Sequence, residues 1–78
     1  MLNNLREYID SKELKITILE NRVNIINYDK LRDISEKEIL LTKNNKKIKV
    51  LGKNLKLNKL IENEILILGF IEKVEFYE

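Results

Sequence analysis

The chain has 78 residues, with 15 Lys and Arg against 13 Asp and Glu and with no Cys and no His. This length allows one domain with a single core. The missing residue types exclude disulfides, thiol nucleophiles, imidazole bases and the common zinc sites, and the lack of Cys is typical of a reducing cytoplasm. We therefore expect no catalytic residue, no cofactor and no metal.

The first residues predict an N-terminal helix or arm over 1–13. Leu2, Leu5 and Ile9 recur at helical spacing, and Arg6 and Asp10 form an i, i+4 pair. A helix of fewer than three turns is marginal alone and needs a surface on which to dock. No signal-peptide pattern is evident, and no apolar run approaches the roughly 20 residues that cross a bilayer.

From residue 14 the hydrophobic period changes to two, which predicts one β domain over 14–78. Turns are expected at 20–21, 44–45 and 61–63, and residues 28–35 are irregular enough for a short strand or a connection. The alternating segments predict strands over 14–19, 23–26, 38–43, 46–51, 54–60, 64–69 and 70–77.

The most specific pattern is an alternating strand that ends in glycine, and it occurs twice. Residues 47–52 end at Gly52, and residues 64–69 end at Gly69 after the same alternation. Glycine has no Cβ, so each position lets the strand bulge or bend. Short strands at this spacing predict a mainly all-β fold, an antiparallel meander that forms a small sandwich, roll or barrel. The alternative is a short β-solenoid-like stack, in which the repeated segment is one coil.

The alternation divides the apolar residues between two faces. The inward set is predicted to be Ile16, Ile18, Val23, Ile25, Ile39, Leu41, Ile48, Val50, Leu55, Leu57, Ile65, Ile67, Val74 and Phe76. The other face also carries apolar residues, at Leu19, Ile26, Leu40, Leu51, Leu66, Leu68 and Phe70. Either a second layer or the N-terminal helix covers them, or they form an interface with another chain. On the second interpretation the candidate protein interface is Leu51, Leu66, Leu68 and Phe70.

Charge is segregated along the chain. Residues 43–59 contain seven Lys and no acid, whereas residues 60–78 contain five Glu and one Lys. One interpretation is that the final strands neutralise the lysines across the sheet, through Glu62, Glu64, Glu72 or Glu75. The other is an anion-binding face formed by Lys46, Lys47, Lys49, Lys53 and Lys56. The lysine block holds no aromatic residue and no Arg, which argues against sequence-specific nucleic-acid binding.

No catalytic motif is present in the sequence. Ser11 and Ser35 are the two serines, and neither has the Gly-x-Ser-x-Gly setting of an activated nucleophile. Two glycines cannot form either of the familiar phosphate-binding loops. We expect no enzymatic activity and no small-molecule substrate.

The order of these segments resembles the YabP/YqfC family of sporulation proteins, which are small all-β proteins of spore-forming Firmicutes. The similarity extends over residues 14–78. The segments that carry it are Lys15-Ile16-Thr17-Ile18-Leu19-Glu20-Asn21-Arg22, Glu38-Ile39-Leu40-Leu41-Thr42, Ile48-x-Val50-x-Gly52-x-x-Leu55-x-Leu57, Glu64-Ile65-Leu66-Ile67-Leu68-Gly69-x-Ile71 and Val74-x-Phe76-Tyr77.

The resemblance implies a non-enzymatic assembly or adaptor module in spore envelope formation, in the coat or the cortex. It also implies a place in the cytoplasm of the mother cell, or at the periphery of the forespore membrane through a partner. The expected partner is a second copy of the chain or a membrane-associated protein. The alternative function is a small β-barrel that binds nucleic acid or anionic phosphate or lipid through the lysine-rich face.

Overall fold

A computed structural model describes residues 13–78, with the backbone alone described at residues 59 and 60. Six antiparallel strands form one unclosed sheet, and no helix occurs within 13–78, so the all-β prediction is confirmed. The helix or arm predicted over 1–13 falls almost entirely outside the described residues. The strands are β1 (Lys15–Leu19), β2 (Arg22–Ile26), β3 (Lys30–Ile34), β4 (Glu38–Lys43), β5 (Lys46–Ile61) and β6 (Glu64–Tyr77).

The strand order is β1-β2-β6-β5-β4-β3. The predicted meander is therefore interrupted, because β2 pairs with β6 rather than with β3. In a flat sheet β2 and β3 would lie about 19 Å apart, since three strands separate them at about 4.8 Å per spacing. The chain from Ile26 to Lys30 can span at most about 14 Å. The sheet must therefore fold back on itself, as a sandwich or roll does.

Residues 27–29 make the crossing from β2 to β3, and hydrogen bonds to β4 and to the turn before β6 hold their backbone in place. The Asn27 N–H donates to the Asn63 carbonyl at 2.8 Å, and the Asp29 N–H donates to the Thr42 carbonyl at 2.8 Å. The amide of Asn63 donates to the Tyr28 carbonyl at 2.9 Å. Tyr28 itself is 6% exposed and belongs to the core, which the sequence analysis did not predict.

The glycine pattern marks a bend within two long strands. Separate strands were expected on either side of Gly52 and of Gly69, and this expectation was wrong, since β5 and β6 continue through both positions. The pairing shifts register near both glycines. Because β5 and β6 form an antiparallel hairpin, the solenoid-like alternative is also wrong.

The bent hairpin divides the sheet into two layers. Layer 1 contains β1 and β2 with residues 64–68 of β6 and 56–61 of β5. Layer 2 contains β3 and β4 with residues 46–51 of β5 and 70–77 of β6. Each layer therefore receives one half of each long strand.

A single core lies between the layers. Its buried residues are Val23, Ile25, Tyr28, Ile39, Leu41, Ile48, Val50, Leu55, Ile65 and Ile67. Ile16, Leu57 and Val74 pack against this cluster and are partly buried. Two predicted core residues were wrong: Ile18 is 53% exposed and Phe76 is 57% exposed. Both lie on the correct face of their strands, but at a side where the two layers leave the core uncovered.

Candidate protein-docking site

A groove lies between the end of β1 and the part of β6 that follows the bend. Its volume is about 650 Å³, and its walls are Ile18, Leu19 and Glu20 on one side and Phe70, Ile71, Glu72, Lys73 and Val74 on the other. We call this feature the open groove. It lies where layer 1 and layer 2 approach each other without pairing.

The open groove exposes apolar side chains from both of its walls. Leu19 is 52% exposed and Phe70 is 58% exposed, in addition to Ile18, while Ile71 and Val74 are partly buried. Ile18 pairs with the fully buried Val23, which places its side chain on the inner face of layer 1. Contiguous exposed apolar surface of this kind is characteristic of a site that another molecule covers.

Two strand edges that have no partner strand within residues 13–78 border the open groove. β1 is the outermost strand of layer 1. The pairing of β2 with β6 extends along β6 only as far as Leu68. Residues 70–77 of β6 pair with β5 on one side, and their other side has no partner strand within the described part of the chain. Strand edges with free N–H and C=O groups accept a further strand when nothing blocks them.

The structure distributes the predicted interface residues over three places. Phe70 alone lines the open groove. Leu66 and Leu68 lie on the outer face of layer 1, and Leu51 lies on the outer face of layer 2 between Glu38 and Lys73. All three leucines are partly buried. The groove residue Ile18 was assigned to the core instead, because alternation identifies a face but not where its cover ends. Val74 lines the groove and also packs against the core, as its assignment to the inward set predicted.

The predicted lysine face is also divided by the bend. Lys46, Lys47 and Lys49 precede Gly52, whereas Lys53 and Lys56 follow it and lie opposite Phe70 and Leu68. Opposite charges do meet across the sheet at one position, where Lys49 lies opposite Glu75. The five lysines therefore do not form one continuous surface.

Tyr77 lies beside two of these lysines, which sequence spacing could not reveal. The Nζ atoms of Lys47 and Lys49 lie 5.9 Å and 5.4 Å from the centre of its ring, within cation–π range. A side-chain hydrogen bond with Tyr77 raises the pKa of Lys49, and the charge of Glu38 raises it further. β6 thus supplies the aromatic residue that the lysine block itself lacks.

No group of three or more acidic residues within the described part of the chain could hold a metal ion. Within residues 13–78, no helix has the length and apolar character that crossing a membrane requires. No family model, no curated protein and no solved structure matches the chain in the comparisons made with each.

Proposed function

We propose that this chain is a non-enzymatic assembly or adaptor module of spore envelope formation, and that it docks to protein through the open groove. The observation that carries the proposal is the exposure of Ile18, Leu19 and Phe70 side by side. The lack of His and Cys in the sequence supports a non-enzymatic role.

The groove is energetically suited to docking. Full burial of one large apolar side chain is worth roughly 1.5–3 kcal/mol, so covering a half-exposed one contributes about 1 kcal/mol. Ile18, Leu19 and Phe70 together would supply about 3 kcal/mol on this basis, before further contacts at Ile71 and Val74. This burial is one contribution to binding, and backbone hydrogen bonds at the bordering strand edges would add to it.

The resemblance to the YabP/YqfC family supports the cellular context. It points to the mother cell, to the coat or cortex, and to a second copy or a membrane-associated protein as the partner. The segments that carry the resemblance include groove residues from both strands, Ile18-Leu19 at the end of β1 and Val74 within β6.

On this proposal the organism that encodes the chain forms spores, and the test is made in that organism. The gene for the chain is deleted, and the strain is complemented with Phe70→Lys or with a matched control, Ile34→Lys. Ile34 is 56% exposed on β3, at the opposite edge of the sheet order. We expect Ile34→Lys to restore heat-resistant spores and Phe70→Lys to leave the deletion defect, at equal protein levels and equal melting temperatures. Full restoration by Phe70→Lys would contradict the docking proposal.

Anion binding is the second candidate function, and Tyr77 is the observation that favours it. This residue is 40% exposed beside Lys47 and Lys49, so a base or a phosphate has both an aromatic surface and cations available. Binding of single-stranded RNA or anionic vesicles should fall steeply with salt and should be lost in the double variant Lys47→Glu, Lys49→Glu. The absence of binding at about 50 mM salt would eliminate this function.

A further inference from the structure

We propose that the partner at the open groove is a second copy of the chain, with the two β1 strands paired antiparallel around a two-fold axis at Thr17. This inference names the partner of the docking site and therefore rests on the proposed function. Four features of the structure lead to it: the direction of the free hydrogen-bonding groups, the contrast between the two outer strands, the self-complementary register and the position of the groove.

The hydrogen bonds at the ends of β2 determine which groups of β1 are free. The Gly69 N–H donates to the Asn21 carbonyl, and the Asn27 N–H donates to the Asn63 carbonyl. Antiparallel bonding alternates along a strand, so the odd-numbered residues of β2 bond to β6 and its even-numbered residues bond to β1. Because Asn24 is opposite Thr17, the backbone N–H and C=O groups of Thr17 are hydrogen-bonded to β2. The N–H and C=O groups of Ile16 and Ile18 point to the free edge.

The two outer strands of the sheet order differ in their protection against pairing. β3 carries Lys30, Arg32 and Asp33, and a register shift between Leu31 and Asp33 interrupts its ladder with β4. Charges and bulges of this kind prevent edge-to-edge association. β1 has a regular ladder with β2, and Lys15 is its single charged residue. Among the described strands, the edge that lacks protection against a further strand is thus the one beside the groove.

The sequence of β1 is complementary to itself in one register. A two-fold axis perpendicular to the sheet leaves every side chain on its own face of the sheet. Residues directly opposite each other must then share a face, so the axis passes between the two copies of one residue. Centred on Thr17, it pairs the whole of β1 with the whole of its copy. Ile16 then lies opposite Ile18 of the second copy, and Lys15 lies opposite Leu19 of the second copy, so no like charges meet. Centring on Ile16 or Ile18 would leave part of each strand unpaired.

The second copy, placed by this axis, also covers the open groove. The axis places layer 2 of both copies on the same side of the joined sheet, so the groove of each copy faces that of the other. The exposed inner-face residue Ile18 gains cross-strand contacts, and the apolar wall at Phe70 and Val74 is shielded from water. A five-residue strand with one groove buries less than the roughly 800 Å² per partner of a standard interface, so we expect a dissociation constant in the micromolar range.

Cysteine cross-linking tests the register directly, because the chain contains no Cys. Thr17 would form a non-hydrogen-bonded pair with its copy, with a Cα separation of about 4.5 Å that allows a disulfide. Two copies of Lys15 would lie about 14 Å apart along the strands, too far to be bridged. We expect Thr17→Cys to oxidise to a covalent dimer and Lys15→Cys to remain a monomer. A mixture of Lys15→Cys and Leu19→Cys chains should form mixed dimers.

Amide hydrogen exchange on the unsubstituted protein is the second measurement. Raising the protein concentration should slow exchange at Ile16 and Ile18 and leave Thr17 unchanged, because β2 already bonds Thr17. Equal cross-linking of Thr17→Cys and Lys15→Cys, or no concentration dependence at Ile16 and Ile18, would overturn the strand pairing. Such a result would overturn the strand pairing without bearing on the proposed function. The proposed function is tested independently, by spore complementation with Phe70→Lys.

Discussion

Gly52 lies so close to the backbone carbonyl of Phe70 that a Cβ at position 52 would collide with the carbonyl oxygen. Gly69 has a similar restriction, with a φ of 136° and a Cβ position only 2.7 Å from the Asn54 carbonyl oxygen. These contacts occur where β5 and β6 cross at the bend. The absence of a side chain at both positions therefore allows the hairpin to fold into two layers.

Alanine at either glycine should destabilise the fold. We expect Gly52→Ala and Gly69→Ala each to lower the free energy of unfolding by about 2–4 kcal/mol, from overpacking and, at Gly69, from backbone strain. Urea unfolding measures the effect, and Lys53→Ala is the control, expected within about 0.5 kcal/mol of the parent as an exposed substitution. Unchanged stability in Gly52→Ala would mean that the bend does not depend on the close contact.

The core and the open groove should respond differently to truncation. Leu41 is fully buried, so Leu41→Ala should lower the free energy of unfolding by about 2–5 kcal/mol. Ile18→Ala should lower that of the monomer by less than about 1 kcal/mol, because the side chain is half in water. Urea unfolding of dilute protein compares the two variants. A larger loss at Ile18 than at Leu41 would place Ile18 in the monomer core after all.

These two residues also show how far the sequence predicts the fold. Alternation correctly assigned Leu41 and Ile18 to the inner face, because each side of a strand repeats every second residue. Whether another layer covers that face depends on the pairing of β2 with β6, which joins residues 38 to 46 positions apart. Local pattern carries no information on such pairing. For the same reason the sequence named Phe70 as a candidate interface residue but assigned Ile18, on the other wall of the open groove, to the core.

Two asparagines with positive φ should differ in their tolerance of glycine. Asn44 has a φ of 57° and Asn63 has a φ of 60°, in the turns before β5 and β6. Asn44→Gly should change the free energy of unfolding by less than about 0.5 kcal/mol, because Asn44 bonds to Asp29 through its backbone N–H, which glycine retains. Asn63→Gly should lower it by about 1–2 kcal/mol, because the Tyr28 carbonyl loses its donor. Urea unfolding of both variants checks this, and equal effects would contradict it.

Tyr77→Phe should lower the pKa of Lys49, because the hydrogen bond that chiefly raises it is removed. A lysine whose folded pKa is raised above the ordinary 10.5 stabilises the fold at lower pH, and this contribution is lost as pH rises through the folded value. The titration is followed by NMR at the Lys49 Cε. Glu38→Gln should shift it in the same direction by a smaller amount. An unchanged pKa in Tyr77→Phe would show that the phenol oxygen does not bond to Lys49.

The most direct test of assembly through the open groove is the molar mass in solution, by light scattering over a range of protein concentrations. We predict a transition from the 9.3 kDa of one chain to twice that mass, and the transition should persist at both about 0.05 M and about 1 M salt because the contact is apolar. Ile18→Lys should abolish it, and Ile34→Lys should not. A monomer at about 1 mM protein, where even weak complexes form, would contradict the account.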